Sequence, residues 1–320
     1  MKNMAKLKYF LILIILVSCV FVYACGKQDS LSSTEAKVKI VTSLFPTYDF
    51  ARQIGQQKVE VTLLLPPGVE AHSFEPTPAD MKRISNADIF IFTGRVMEPW
   101  VDDLLKGVEN KKLKVIDASE GILPMKLAEE HSGKMLPGDE HGKGIDPHIW
   151  LDFANAMKMV DTITDGLSLK DPGNSEFYRS NAEAYKKKIT ALDHKYEKTL
   201  SQCKNKDLVH AGHLAFGYLA ARYHLNYMSA YRGLTPDAEP TLKRLTEITN
   251  YLKENHINSI FYEELINPKV ARAIALETGT NMLMLHGAHN ISKDDLAQGV
   301  TFLTLMERNL NNLKVGLLCP

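Results

Sequence analysis

NSEFYRSNAEAYKKKITALDHKYEKTLSQ, residues 174–202, is the stretch on which the fold turns. Phe177, Tyr185, Ile189, Leu192, Tyr196 and Leu200 recur at spacings near three and four, the period of a helix with one apolar stripe. Asp171-Pro-Gly-Asn-Ser175 supplies start signals in front of it. A helix of about 29 residues is about 43 Å long at 1.5 Å per residue. That exceeds an ordinary globular helix, and a rigid rod joining two domains is its natural use.

Short apolar runs alternate with amphipathic segments on both sides of this rod. Before it, strands are expected at 37–42, 59–65, 88–93 and 113–117, with helices at 46–54, 78–85, 99–107 and 153–167. After it, strands at 207–210, 226–229, 258–262 and 281–285 alternate with helices at 215–223, 241–255, 268–278 and 301–313. The strand runs are apolar nearly throughout, as in parallel strands covered on both faces. The fold class is therefore α/β: two parallel-sheet (β/α)4-like lobes, 37–170 and 205–320, joined by a linker helix within 171–204. One echo links the halves. Glu75-Pro-Thr77 and Glu239-Pro-Thr241 each precede a helix with a basic pair and then a strand.

The chain has 320 residues, 45% apolar and 24% charged, which makes it globular rather than disordered. Lys+Arg and Asp+Glu are equal at 38, which argues against a nucleic-acid partner. Residues 1–24 read as a secretory signal: Lys2, Lys6 and Lys8 precede an apolar run too short for a membrane-spanning helix. Removing those three lysines leaves 35 basic residues against 38 acidic ones, a net charge of −3. Val22-Tyr-Ala-Cys25 resembles a bacterial lipobox, so Cys25 is expected to carry lipid, with 25–36 as a polar tether. Of four cysteines this leaves Cys203 and Cys319, an even pair in a disulfide-permissive compartment, expected to be bridged.

Four of the 11 histidines share a topological position. His72 follows the second strand across a Pro-Pro-Gly turn. His148 follows a polar loop, His213 the strand at 207–210, and His286 the strand at 281–285. The carboxyl ends of α/β strands are where such folds place ligands. Two histidines come from each half, which puts a site in the cleft between domains. Neutral imidazoles suit tetrahedral zinc, and four of them leave no open position for an activated water. Manganese prefers more oxygen. Glu70, Glu75, Asp152, Glu239 and Glu263 lie in the same loops as candidates to orient the rings. His131 and His141 sit in an acidic, Gly-rich loop that either gathers metal or is simply solvated. His210 and His289 lie beside the chosen ligands as rivals.

Glu70-Ala-His-Ser-Phe-Glu-Pro-Thr-Pro-Ala-Asp80, Asp146-Pro-His-Ile-Trp-Leu-Asp152 and His213-Leu-Ala-Phe-Gly-Tyr-Leu-Ala-Ala-Arg-Tyr223 resemble zinc/manganese-type solute-binding lipoproteins of bacterial ABC importers. Glu239-Pro-Thr241, Phe261-Tyr-Glu-Glu264 and Asn267-Pro-Lys269 fit the same pattern, so the resemblance runs over about residues 38–315. It implies two lobes joined by a long helix, metal held between them, and His72, His148 and His213 as ligands. The fourth position departs from the family, which usually has a carboxylate there. This chain has Leu285-His286-Gly287, and His286 is assigned, with His289 as its rival.

The expectation is a monomeric, lipid-anchored extracytoplasmic receptor that captures zinc for a membrane permease. A manganese receptor is the runner-up. A metallohydrolase is disfavoured, since neither H-E-x-x-H nor G-x-S-x-G occurs. An adhesin role could coexist with transport.

Overall fold

Two four-stranded parallel sheets repeat one strand order. The computed structural model describes residues 36–126, 144–231, 233, 240–265 and 267–320. Cys25, His131, His141 and Glu239, with most of the tether and all of the signal, lie outside them. The first sheet runs β2-β1-β3-β4, from β1 (Val38–Thr42), β2 (Val59–Leu63), β3 (Ile89–Phe92) and β4 (Lys114–Asp117). The second runs β6-β5-β7-β8, from β5 (Asp207–His210), β6 (Asn226–Ser229), β7 (Ser259–Tyr262) and β8 (Asn281–Met284).

Strand β3 shows why the runs are continuously apolar. Ile89 and Ile91 point into a core shared with the long helix, while Phe90 and Phe92 point into a second core on the sheet's other face. Period two with both faces buried needs an apolar residue at every position. Strand β5 divides likewise, Leu208 facing the shared core and Val209 a separate one.

The helices start where the sequence caps them. In the first lobe these are α1 (Phe45–Gly55), α2 (Pro78–Ser85), α3 (Val101–Lys106) and α4 (Phe153–Lys170). Thr77 and Asp80 form a reciprocal capping box at α2. The long helix is α5 (Ser175–Ser201), followed by α6 (Gly217–Arg222), α7 (Leu242–Glu254) and α8 (Lys269–Thr278). Thr241 caps α7, so both members of the Glu-Pro-Thr echo do the same local work in their lobes. Gly279, in the left-handed region at φ 74°, ends α8. A five-residue helix α9 (Lys293–Ala297) was not expected from the sequence; α10 (Phe302–Gly316) closes the chain.

The buried stripe of α5 is Tyr178, Ala182, Tyr185, Ile189, Leu192, Tyr196 and Leu200. It starts at Tyr178 and not at the half-buried Phe177, which lies one position off the 4-3-4-3 progression. The helix also does more than bridge the lobes. It packs on α1, α4 and α10, and its stripe belongs to the shared core. Buried Asp49 of α1 ties three of these elements together, accepting from Tyr185 Oη at 3.1 Å and from the Phe302 backbone N–H at 3.0 Å. Cys203, just past α5, is joined to Cys319, just past α10, in a disulfide.

Candidate metal centre

Each of four loops leaving the strands' carboxyl ends contributes one imidazole to a common point. His72 stands in the loop after β2, where Glu70 accepts from the Ser73 backbone N–H at 2.8 Å and closes a small turn around it. His148 follows β4 at a distance. Asp146 Oδ1 accepts from its backbone N–H at 2.9 Å and lies 2.7 Å from its Nδ1. His213 follows β5, with its Nδ1 2.5 Å from Glu263 Oε2. Its carbonyl accepts from Tyr227 Oη at 3.1 Å, and His210 Nδ1 lies 3.2 Å from that oxygen. His289 follows β8, its Nδ1 3.7 Å from Glu264 Oε1 and its buried Nε2 without a hydrogen-bond partner among the described residues.

The arrangement is close to regular. The six ring-to-ring centroid distances among His72, His148, His213 and His289 lie between 4.7 and 5.4 Å. One nitrogen from each ring falls within 4.8 Å of all the others. His148 Nε2 is 3.3 Å from both His72 Nε2 and His213 Nε2. Nitrogens bound at 2.0–2.1 Å in a tetrahedral zinc site stand about 3.3 Å apart, the spacing of these two pairs. Trp150, fully buried, walls the site edge-on to His148 and His289.

Burial sets the charge state of two of these rings. It drives His72 and His148 well below the ordinary imidazole value, and the neighbouring histidines push in the same direction. Both rings are neutral at neutral pH. Burial acts downward on His213 too, but the Glu263 carboxylate, helped by Glu264 and Glu70, outweighs it and the ring ends raised. Glu264 is held down to about 2: burial alone would raise it, and His286, His289 and the Gly287 N–H reverse the sign. Asp146 is pushed up to about 7 by burial.

His286 was expected as the fourth ligand and is placed elsewhere. Its Nδ1 accepts the Ala288 backbone N–H at 2.9 Å, and its backbone is clamped by Asn309 of α10 through bonds of 2.7 and 2.8 Å. The chain then turns through Ala288, at φ 58°, so the ring that reaches the cleft comes three residues later. Gly287 makes the space, since a Cβ there would stand 2.4 Å from the His289 ring. Asp152 was expected beside a ring; it caps α4 through the Ala154 N–H and pairs with Arg222 at 2.7 Å. Glu75 is exposed. Glu263 faces His213 as the loop positions suggest. Asp146 and Glu264 were missed as ring partners, although each sits within a quoted motif beside a residue that was chosen.

The model of the family described as zinc-uptake complex component A, periplasmic (ZnuA) matches residues 40–316. The chain is 36% identical over 309 residues to the zinc-binding lipoprotein AdcA of Streptococcus pneumoniae, covering 96% of this chain and 61% of that one. It therefore spans about three-fifths of the length of that relative. It is 35% identical over 311 residues to the high-affinity zinc uptake system protein ZnuA of Bacillus subtilis, covering 96% and 97% respectively. The crystal structure of the Zn(II)-bound ZnuA-like domain of S. pneumoniae AdcA superposes with a TM-score of 0.74 at 36% identity, over 88% of this chain and 99% of that one.

Proposed function

This chain belongs to the family of periplasmic zinc-uptake complex component A proteins, and from that membership we propose that it captures extracellular zinc and hands it to the permease of an ABC importer. The observation that carries the reading is the near-regular cluster of His72, His148, His213 and His289. Four imidazole nitrogens satisfy zinc and offer manganese none of the oxygen it prefers. They also fill the coordination shell, which suits a carrier and not a hydrolase. Asp146 and Glu263 orient two of the rings, and Glu263 also raises the basicity of His213. His289, not His286, is the fourth ligand in this reading.

The lobes 37–170 and 205–320 hold the ion between them, with 171–204 as the connecting segment. The receptor acts outside the cytoplasm as a monomer, anchored by lipid on Cys25. Metal-free protein titrated with zinc is expected to bind one ion per chain, and an equal concentration of manganese is expected to leave it bound. Displacement of zinc by manganese at comparable concentration refutes the choice of metal. Unchanged zinc affinity in His289→Ala refutes the choice of ligand.

A further inference from the structure

The loop that carries His289 comes from the second lobe but is held by the first. Its carbonyls and one side chain are gripped across the cleft. Phe45 N–H donates to the His289 carbonyl at 3.2 Å, Gly68 N–H to the Ile291 carbonyl at 2.9 Å, and Trp150 Nε1 to the Gly287 carbonyl at 2.7 Å. Asn290 answers from the other side: its Nδ2 donates to the Pro66 and Val69 carbonyls, both at 2.7 Å. Asn290 is buried, and its Oδ1 accepts the Ile291 N–H at 2.8 Å, which fixes the amide's orientation.

Pro66 and Val69 bound the turn that leads into His72. A single buried amide therefore joins the segment carrying His289 to the loop carrying His72, and both of its donors are spent on that junction. We propose that Asn290 is a positioning residue for zinc, one that sets His289 against His72, so that three imidazoles ride on the frame of the first lobe and only His213 rides on the second. This rests on the reading of His289 as a ligand. The buried amide is costly unless both donors are satisfied, and the two carbonyls satisfy them only when the His289 segment is seated. His72, His148 and His289 thus form a preassembled face, and His213 completes the shell as the lobes come together. Loss of the metal begins with His213, whose carbonyl partners among the described residues, Tyr227, His210 and the Ala215 N–H, all belong to its own lobe.

The test is a double-mutant cycle on zinc affinity in the full chain. Asn290→Ala is expected to weaken binding by about 10–100-fold, the range for residues that orient ligands. In a His289→Ala background the same substitution is expected to change affinity less than about twofold, because its effect passes through that ring. Cobalt absorption supplies a readout that mere destabilisation does not move: folded Asn290→Ala is expected to lose intensity in the tetrahedral bands. Asn290→Ser, which keeps one donor, is expected to fall between parent and Ala and guards against a fold failure in the first variant. If His289→Ala abolishes tight binding while folded Asn290→Ala and Asn290→Ser bind like the parent, the positioning role is wrong and the ligand stands. Equal losses from Asn290→Ala with and without His289 overturn it too. Parent-like binding by His289→Ala sinks the ligand reading itself.

Discussion

The two lobes share a strand order and differ in what they do with one carboxylate. In each, the third strand runs into a loop with a buried glutamate, Glu98 after β3 and Glu263 after β7. Glu98 turns back on its own lobe. It accepts from the Thr93 and Gly94 backbone N–H groups at 3.0 and 2.9 Å and from the Ser43 hydroxyl. Glu263 faces the cleft and His213. Burial pushes the Glu98 carboxyl up to about 7. Burial acts the same way on Glu263, but His213 outweighs it and the carboxyl falls below its ordinary value. One lobe has closed this loop with internal donors; the other keeps the charge for an imidazole. A repeated scaffold can therefore use the loop after the same strand for internal contacts in one copy and for the candidate site in the other.

Zinc affinity separates the two glutamates most sharply. His213→Ala is expected to cost more than about 100-fold, beyond the range for partners that merely orient ligands. Glu263→Gln is expected to cost about 10–100-fold and Glu98→Gln less than about twofold. Competition titration with a chromophoric chelator measures all three. Equal losses from the two glutamine variants would erase the distinction between the lobes. The same comparison has a pH form. Because Glu263 holds His213 above the ordinary imidazole value of 6.5, the ring keeps its proton to higher pH than a free imidazole, and zinc must displace that proton to bind. Affinity should rise with pH through the neutral range, and calorimetry in buffers of different ionisation enthalpy should show proton release that shrinks in Glu263→Gln.

Stability against pH addresses Glu98 from the other side. Its folded value, about 7, lies above the ordinary 4.5. Between those values the folded state binds more protons than the unfolded one, so stability is fully present below pH 4.5 and is lost as pH rises through 7. The difference is worth at most about 3–4 kcal/mol at 1.36 kcal/mol per unit. Glu98→Gln removes this share, and denaturant unfolding of the metal-free protein at pH 5 and pH 8 should show a smaller drop than in the parent. An unchanged drop would mean that the Glu98 carboxyl is not titrating in this window.

Much of this architecture can be read from the chain, and the failures have a common cause. The strands were legible because burial on both faces demands an apolar residue at every position, as in Ile89–Phe92. His72, His148 and His213 were legible because each sits in a motif of its own, His72 and His213 just past a strand's carboxyl end. The rank order of His286 and His289 was not. Proximity to β8 favours His286, and what reverses it is the left-handed Ala288 together with partners at Phe45, Pro66 and Val69, more than 200 positions away. Asp152 misled for a local reason: a residue after Trp150-Leu151 can orient a ring or start a helix, and the free N–H groups of α4 claimed it. Glu98 gave no sign at all, since an inward turn of a loop carboxylate depends on donors such as Ser43 from another strand's end.

The helix caps give the smallest test and the one closest to the sequence echo. Thr77 and Thr241 hold equivalent places before β3 and β7, yet their partners differ. Thr77 Oγ1 accepts from Asp80 N–H at 3.3 Å while Asp80 Oδ2 accepts from the Thr77 N–H at 2.9 Å, a closed pair. Thr241 Oγ1 accepts from Arg244 N–H at 3.2 Å, and a guanidinium at that position has no acceptor to return. Asp80 also pairs with Arg83 at 2.7 Å, so losing Thr77 loosens a three-residue network. Thr77→Ala is therefore expected to cost about 1–2 kcal/mol in chemical denaturation and Thr241→Ala about 0.5–1 kcal/mol. Zinc affinity should stay within about twofold in both, since neither side chain touches a ring. A larger penalty at Thr241 would show that the echo is one of sequence alone, and that the first lobe gains nothing from its reciprocal pair.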